Sequence, residues 1–99
     1  MSDFKFRIVA TAPTVYQKQS LSRFCLNEKS LGNGSFFGSM DFYDEKDAKD
    51  YLIDRAEKYF DGNSNDDENK LKEALIDIEH GVLTLDAVTA RIEEIYEEE

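Results

Sequence analysis

The chain has 99 residues, which suits one domain that buries roughly 60–70% of its unfolded surface. Hydrophobic residues make up 40% and aromatic residues 12%, which argues against disorder along the whole chain. No apolar run reaches the roughly 18–20 residues needed to cross a bilayer, and the single cysteine, Cys25, excludes an internal disulfide. We therefore expect an intracellular, cytoplasmic protein with one core.

The net charge of −10 is unevenly distributed. Residues 1–40 carry five basic and two acidic side chains, whereas residues 41–99 carry seven basic and twenty acidic ones. Nucleic acid and anionic membranes repel such a chain, so its charge indicates a basic protein as partner. A second interpretation, that the charge serves only solubility, remains open.

Three strands are predicted in the first 43 residues. In the first strand, large apolar residues alternate with basic ones: Phe4, Phe6 and Ile8 against Lys5 and Arg7. Residues 11–20, which contain the only proline, predict a loop. In the segment 21–27, Phe24 and Leu26 alternate with Arg23 and Cys25, which predicts a second strand with Cys25 in or near the core.

A hairpin is predicted to join the second and third strands, because Asn33 and Gly34 tolerate the positive φ of a tight turn. The third strand places one set of side chains on each face: Phe36, Met40 and Phe42 on one, and Phe37, Ser39, Asp41 and Tyr43 on the other. Gly38 indicates a bulge or a closely packed neighbour.

After Tyr43 the apolar period changes from 2 to 3.6 residues, which predicts helices. Asp44 is the predicted cap of the first helix. The second helix begins near Asn65 and ends at His80 and Gly81, since glycine accepts the left-handed conformation there. The third helix is capped by Thr84, with a hydrophobic staple of Leu83 and Val88. Its apolar face comprises Leu85, Val88, Ile92 and Ile95.

This order of elements predicts an α+β fold: a small three-stranded antiparallel sheet (β-β-β) followed by three helices packed on one face. A single domain spans residues 1–99, with the sheet in residues 1–43 and a helical part in residues 44–98.

A stripe of carboxylates follows the first predicted helix, and we call it the acidic stripe: Asp47, Asp50, Asp54, Glu57 and Asp61. Steps of three and four residues hold these acids within about 80° of the helix surface. Neighbouring carboxylates rise about 4.5–6 Å along the axis, so the row could occupy a Lys/Arg groove that normally binds DNA phosphates. The alternative is an ordinary solvated helix face.

A second candidate surface is the sheet face away from the helices. The predicted registers gather basic and aromatic residues there: Lys5, Arg7, Arg23, Phe37 and Tyr43. Such a face could dock another protein or a second copy of the chain, or stack single-stranded nucleic acid.

Neither a metal site nor a catalytic site is predicted. Residues 61–67 alternate oxygen-bearing side chains as a calcium loop does, but Asp66 stands where that loop needs glycine and Lys72 where it needs glutamate. A helix-capping turn explains the segment better. His80 suits the negative end of a helix dipole and has no predicted nucleophile beside it. We expect no cofactor and no enzyme activity.

The leading hypothesis is a small acidic, non-enzymatic binding protein whose acidic stripe engages a basic protein, such as one that binds nucleic acid. In size and acidity alone the chain is similar to small proteins by which phages and mobile elements inhibit host enzymes, several of which imitate DNA. Assembly through the sheet face and weak binding of single-stranded nucleic acid are the alternatives.

Overall fold

The computed structural model describes residues 4–60 and 65–95, without the side chains of residues 65 and 66. Within these ranges the chain forms five strands and three helices. In chain order they are β1 (Phe6–Ala12), α1 (Lys18–Ser22), β2 (Asn27–Ser30), β3 (Phe36–Phe42), α2 (Glu45–Tyr59), α3 (Asn65–Glu79), β4 (Val82–Leu85) and β5 (Val88–Glu94). The strands form one antiparallel sheet in the order β2-β3-β1-β5-β4. The predicted α+β class is confirmed, but a three-stranded sheet followed by three helices is wrong.

β1 is the central strand, with β3 on one side and β5 on the other. Ile8 faces Met40 across one pair and Ile92 across the other. Along β1, Ile8 is buried as predicted, whereas Phe6 is only partly buried. The strand continues to Ala12, into the predicted loop, and its buried face extends with it. The strand therefore satisfies backbone hydrogen bonds on both edges while one of its faces contributes to the core.

The largest correction concerns residues 82–94, which form a hairpin and not a third helix. Leu83 pairs with Ala90 and Leu85 with Val88, and all four side chains are buried. Thr84 does not cap a helix, since its hydroxyl is 2.8 Å from the hydroxyl of its cross-strand partner Thr89. The apolar residues fit a helical period, but they also fit two strands of period two joined by two residues. The predicted helical part therefore contains two strands of the sheet.

The turn of this hairpin is attached to a distant part of the chain. Asp86 has φ 58°, a left-handed conformation that aspartate tolerates better than most residues. The hydroxyl of Ser20, a buried residue of α1, donates a hydrogen bond of 2.7 Å to Asp86 Oδ2. A contact across 66 positions of sequence thus helps to stabilise a local turn.

The predicted second strand is also wrong over residues 21–26. The chain leaves α1 through a turn in which Leu21 and Phe24 are both fully buried, and Cys25 adopts φ 52°. Alternation correctly predicted burial of Phe24 and Leu26, but a helical turn and a left-handed residue produce the same burial. β2 begins only at Asn27, and the loop predicted for residues 11–20 contains a 3-10 turn and the start of α1.

The predicted hairpin between β2 and β3 is confirmed, although its connection has five residues and not two. Positive φ was predicted at Asn33 and Gly34 but is found at Gly32 and Gly34, with φ +86° and +85°. The N–H of Leu31 donates to the carbonyl of Ser35 at 3.0 Å. At Gly38 the predicted close neighbour is present, because an added Cβ would lie 3.2 Å from Leu26 Cβ.

The helices α2 and α3 form a layer on one face of the sheet. α2 begins after Asp44 as predicted, although the Asp44 side chain makes no capping hydrogen bond. It buries Ala48, Leu52 and Ala56 and contacts β1, β3, β4 and β5. α3 packs against α2 and β4, and the chain turns after it at Gly81 with φ 81°, as predicted. No helix in the described ranges is long and apolar enough to span a membrane.

Candidate functional site

The acidic stripe lies on the outer face of α2. Asp47, Asp50, Asp54 and Glu57 are all exposed, whereas the opposite side of the helix faces the core. The fifth predicted member, Asp61, lies outside the described residues. The helix therefore brings four of the five predicted carboxylates onto one exposed surface.

Lysines of the same helix partly neutralise the stripe. Lys46 pairs with Asp50 at 2.7 Å and Lys58 with Asp54 at 3.2 Å, both one helical turn apart. The hydrogen bond that Lys46 donates to Asp50 raises the pKa of Lys46. In the described ranges neither Asp47 nor Glu57 forms an ion pair. α2 carries five acidic and four basic residues, so its net charge is only −1. Its two carboxylates without an ion pair, Asp47 and Glu57, lie near opposite ends of the helix.

α3 adds most of the negative charge to the helix layer. It contains six acidic and two basic residues. Four of its acids are exposed, namely Glu68, Glu73, Asp77 and Glu79. Because α3 packs beside α2, exposed carboxylates of both helices lie on the same layer of the molecule, and most of its net negative charge is on α3.

The opposite surface of the molecule is the sheet face that the helices do not cover. Strand registers place Arg7 between Asp41 and Glu93, and Thr11 beside Phe37. Arg7, Thr11 and Thr89 are exposed on this face, whereas Ile8 and Ala10 point into the core. Its mixture of threonines and charged residues is typical of a sheet face in contact with water.

Only some of the residues predicted for this face gather there. Arg7 Nε lies 2.7 Å from Asp41 Oδ1, and this hydrogen bond raises the pKa of Arg7. Lys29 lies over the ring of Phe37 at 5.8 Å, and Tyr43 stacks on Phe4 with ring centroids 4.5 Å apart. Lys5, the residue before β1, is exposed.

Arg23 does not join this surface. Its guanidinium lies 4.9 Å from the ring centroid of Tyr59, at the C-terminal end of α2. There Arg23, Arg55 and Lys58 line an open pocket of about 240 Å³ together with Cys25 and Tyr59. We call this the cationic pocket. Sequence reasoning missed it, because it treated Arg23 and Cys25 as strand residues and gave Arg55 and Lys58 no role beyond the helix.

Cys25 was predicted to lie in or near the core, but it is exposed. Arg55 Nη1 donates to its Sγ at 2.8 Å. The Tyr51 hydroxyl lies 2.9 Å from the carbonyl oxygen of Phe24 and 2.6 Å from that of Cys25, and it donates its proton to this pair. Burial raises the pKa of Tyr51, so the hydroxyl keeps that proton at neutral pH.

Within the described ranges, His80 and the possible metal-binding side chains do not form a recognisable site. His80 is exposed and lines a shallow cleft beside Phe6, Lys49 and Ile92. No three His, Cys, Asp or Glu side chains of residues 4–60 and 67–95 are grouped to hold a metal ion. The loop compared with a calcium site falls largely outside the described residues, so that comparison stays a prediction.

No family model, curated protein or solved structure matches the chain.

Proposed function

We propose that this protein is a non-enzymatic binding protein whose acidic stripe on α2 contacts a basic site on a protein partner, while the acids of α3 contribute only long-range attraction. The observation that supports the proposal is the separation of charge between the two layers. Exposed carboxylates accumulate on α2 and α3, whereas Arg7 and Arg91 on the open sheet face are paired with Asp41 and Glu93. A basic partner is therefore attracted to the helix side.

The acidic stripe can receive arginine or lysine side chains at little cost. Asp47 and Glu57 have no ion-pair partner in the described ranges and stand about 15 Å apart along α2. The pairs made by Asp50 and Asp54 are exposed, so they contribute little stability, and a basic residue of a partner can replace the helix's own lysine. A partner that binds DNA phosphates presents side chains suited to such a row, and in that case the protein acts as a nucleic-acid mimic.

The experiment that tests this proposal is affinity capture from a lysate of the native host at low and high ionic strength. The test variant reverses three charges of the stripe, Asp50→Lys, Asp54→Lys and Glu57→Lys. The control reverses three exposed acids of α3, Glu68→Lys, Glu73→Lys and Asp77→Lys, which changes the net charge equally. We expect salt-sensitive capture of a basic protein that the stripe variant loses and the control retains.

Two results would contradict the stripe as the contact surface. If capture survives the stripe variant, these carboxylates are not the contact. If both variants lose the partner equally, only net charge matters. Circular dichroism must first show that both variants are folded.

A second candidate function is self-assembly through the open sheet face. The observation that favours it is the absence of a covering layer over this face in the described ranges, where Val9 and Phe37 remain half-exposed. Sedimentation velocity at increasing concentration should then reveal an oligomer that Phe37→Ser weakens and Thr89→Ser does not. A monomer at all concentrations would reject assembly, and a shift of single-stranded DNA in a gel would indicate nucleic-acid binding by the same face.

A further inference from the structure

The cationic pocket concentrates basic residues in a protein that has few of them. The chain contains 22 acidic and 12 basic residues, yet three of the five residues that line the pocket are basic and none is acidic. Arg23 and Arg55 form no ion pair within the described ranges. Lys58 does pair with Asp54 at 3.2 Å, but Asp54 does not line the pocket. Arg23 and Arg55 therefore line the same pocket, and no described carboxylate forms an ion pair with either of them.

The guanidinium of Arg55 lacks a strong acceptor. Its Nη1 donates to the thiol of Cys25, which is a weak acceptor, and its other polar neighbour is the uncharged hydroxyl of Tyr51. Its Nε is buried without any hydrogen-bond partner. Arginine donors are normally matched by carboxylate or phosphate oxygens, so an oxyanion in the pocket would give the guanidinium the charge-assisted hydrogen bonds that the thiol does not supply.

Two segments of the chain form the pocket, and hydrogen bonds join them. Its residues come from the segment 23–25 and from the last turns of α2, and the Tyr51 hydroxyl joins the two through the carbonyls of Phe24 and Cys25. Arg23 is supported by the ring of Tyr59. Because these contacts exist before any ligand binds, ordering the site costs little conformational entropy.

The size and chemistry of the pocket select the class of ligand. A volume of about 240 Å³ is below the roughly 300–1,000 Å³ of sites for drug-sized ligands, so it accommodates one charged group and not a whole cofactor. Three cations suit a dianion, and the guanidinium of arginine matches the geometry of phosphate oxygens. The Tyr59 ring offers an apolar wall for an attached organic group. We propose that the cationic pocket binds a phosphate monoester.

Lys58 of the pocket pairs with Asp54 of the acidic stripe, but phosphate binding does not require the stripe to bind a partner, so NMR tests it separately. Phenyl phosphate, inorganic phosphate and a phosphoserine peptide are each titrated into the ¹⁵N-labelled protein, with the ionic strength held constant by chloride. We expect saturable amide shifts at residues 23–25 and 55–59. Arg23→Gln with Arg55→Gln should weaken binding at least about tenfold, since it removes two positive charges and the charge-assisted hydrogen bonds that they donate. The control, Lys70→Gln with Lys72→Gln, removes the same charge from α3 and should bind as the wild type does.

The ligands also distinguish the source of the phosphate. Tighter binding of the phosphoserine peptide than of its unphosphorylated form supports a phosphorylated protein, and binding of phenyl phosphate without the peptide supports a small monoester. Binding of inorganic phosphate alone would overturn the proposal, because inorganic phosphate is not an ester. Shifts that do not saturate, or equal losses in the arginine and lysine variants, would overturn the proposal. If the double arginine variant is unfolded, Arg23→Gln alone decides, because the Arg23 side chain is exposed and its one described side-chain contact is with Tyr59.

Discussion

The hairpin β4–β5 can be tested by one substitution that a helix would tolerate. In a helix with Leu85, Val88 and Ile92 on its buried side, position 90 would face water. In the hairpin, Ala90 is fully buried in β5, between Ala10 of β1 and Leu83 of β4. Ala90→Glu therefore places a carboxylate in an apolar part of the core.

The expected loss of stability is large. Overpacking a core site costs about 1–3 kcal/mol, and a buried carboxylate without a partner costs several kcal/mol more or takes up a proton. A total loss of at least about 4 kcal/mol is a large share of the 5–15 kcal/mol that stabilises an ordinary domain. On a solvated helix face the same change would alter stability by about 0.5 kcal/mol or less.

Urea unfolding followed by circular dichroism measures this difference. Thr89→Glu is the matched control, since it introduces the same charge one residue away on the exposed sheet face. We expect the control to lie within about 1 kcal/mol of the wild type. If Ala90→Glu and Thr89→Glu had equal stabilities, position 90 would not be buried and the hairpin would be wrong.

Three further substitutions test other parts of the fold. Ser20→Ala removes the hydrogen bond to Asp86 and should lower the free energy of unfolding by about 1.5–3 kcal/mol, measured by urea titration. No change would show that the β4–β5 turn is stabilised by its own strands alone. Gly38→Ala brings a methyl group within 3.2 Å of Leu26 Cβ and should lower the free energy of unfolding by about 1–3 kcal/mol in the same assay. A more stable variant would show that Leu26 can move away from β3 to make room. Tyr51 has a raised pKa in the folded state, so the unfolded chain loses this proton first as pH rises. Its contribution to stability is therefore complete below about pH 10 and declines above it, and Tyr51→Phe should make the alkaline loss of stability, measured by thermal unfolding, less steep. An unchanged slope would show that the Tyr51 hydroxyl is not perturbed.

Part of the candidate sites could be predicted from sequence because it depends on one continuous segment. The four described carboxylates of the acidic stripe lie on one face since the helical period alone decides which residues share a face. The pairs Lys46–Asp50 and Lys58–Asp54 also join residues four positions apart, a helical spacing that the sequence itself shows. The sequence could not predict the cationic pocket, since Arg23 and Arg55 meet only through packing between segments 32 residues apart.

The sequence by itself determined the α+β class, the strands β1 and β3, the helices α2 and α3, and the acidity of the helix layer. Each of these follows from the spacing of apolar and charged residues within one segment. Tertiary structure decided the conformation of residues 82–94, whose apolar residues fit either a helix or two strands. The deciding interaction is the free edge of β1, which lies more than 70 residues earlier in the chain and requires backbone hydrogen-bond partners that only another strand can supply.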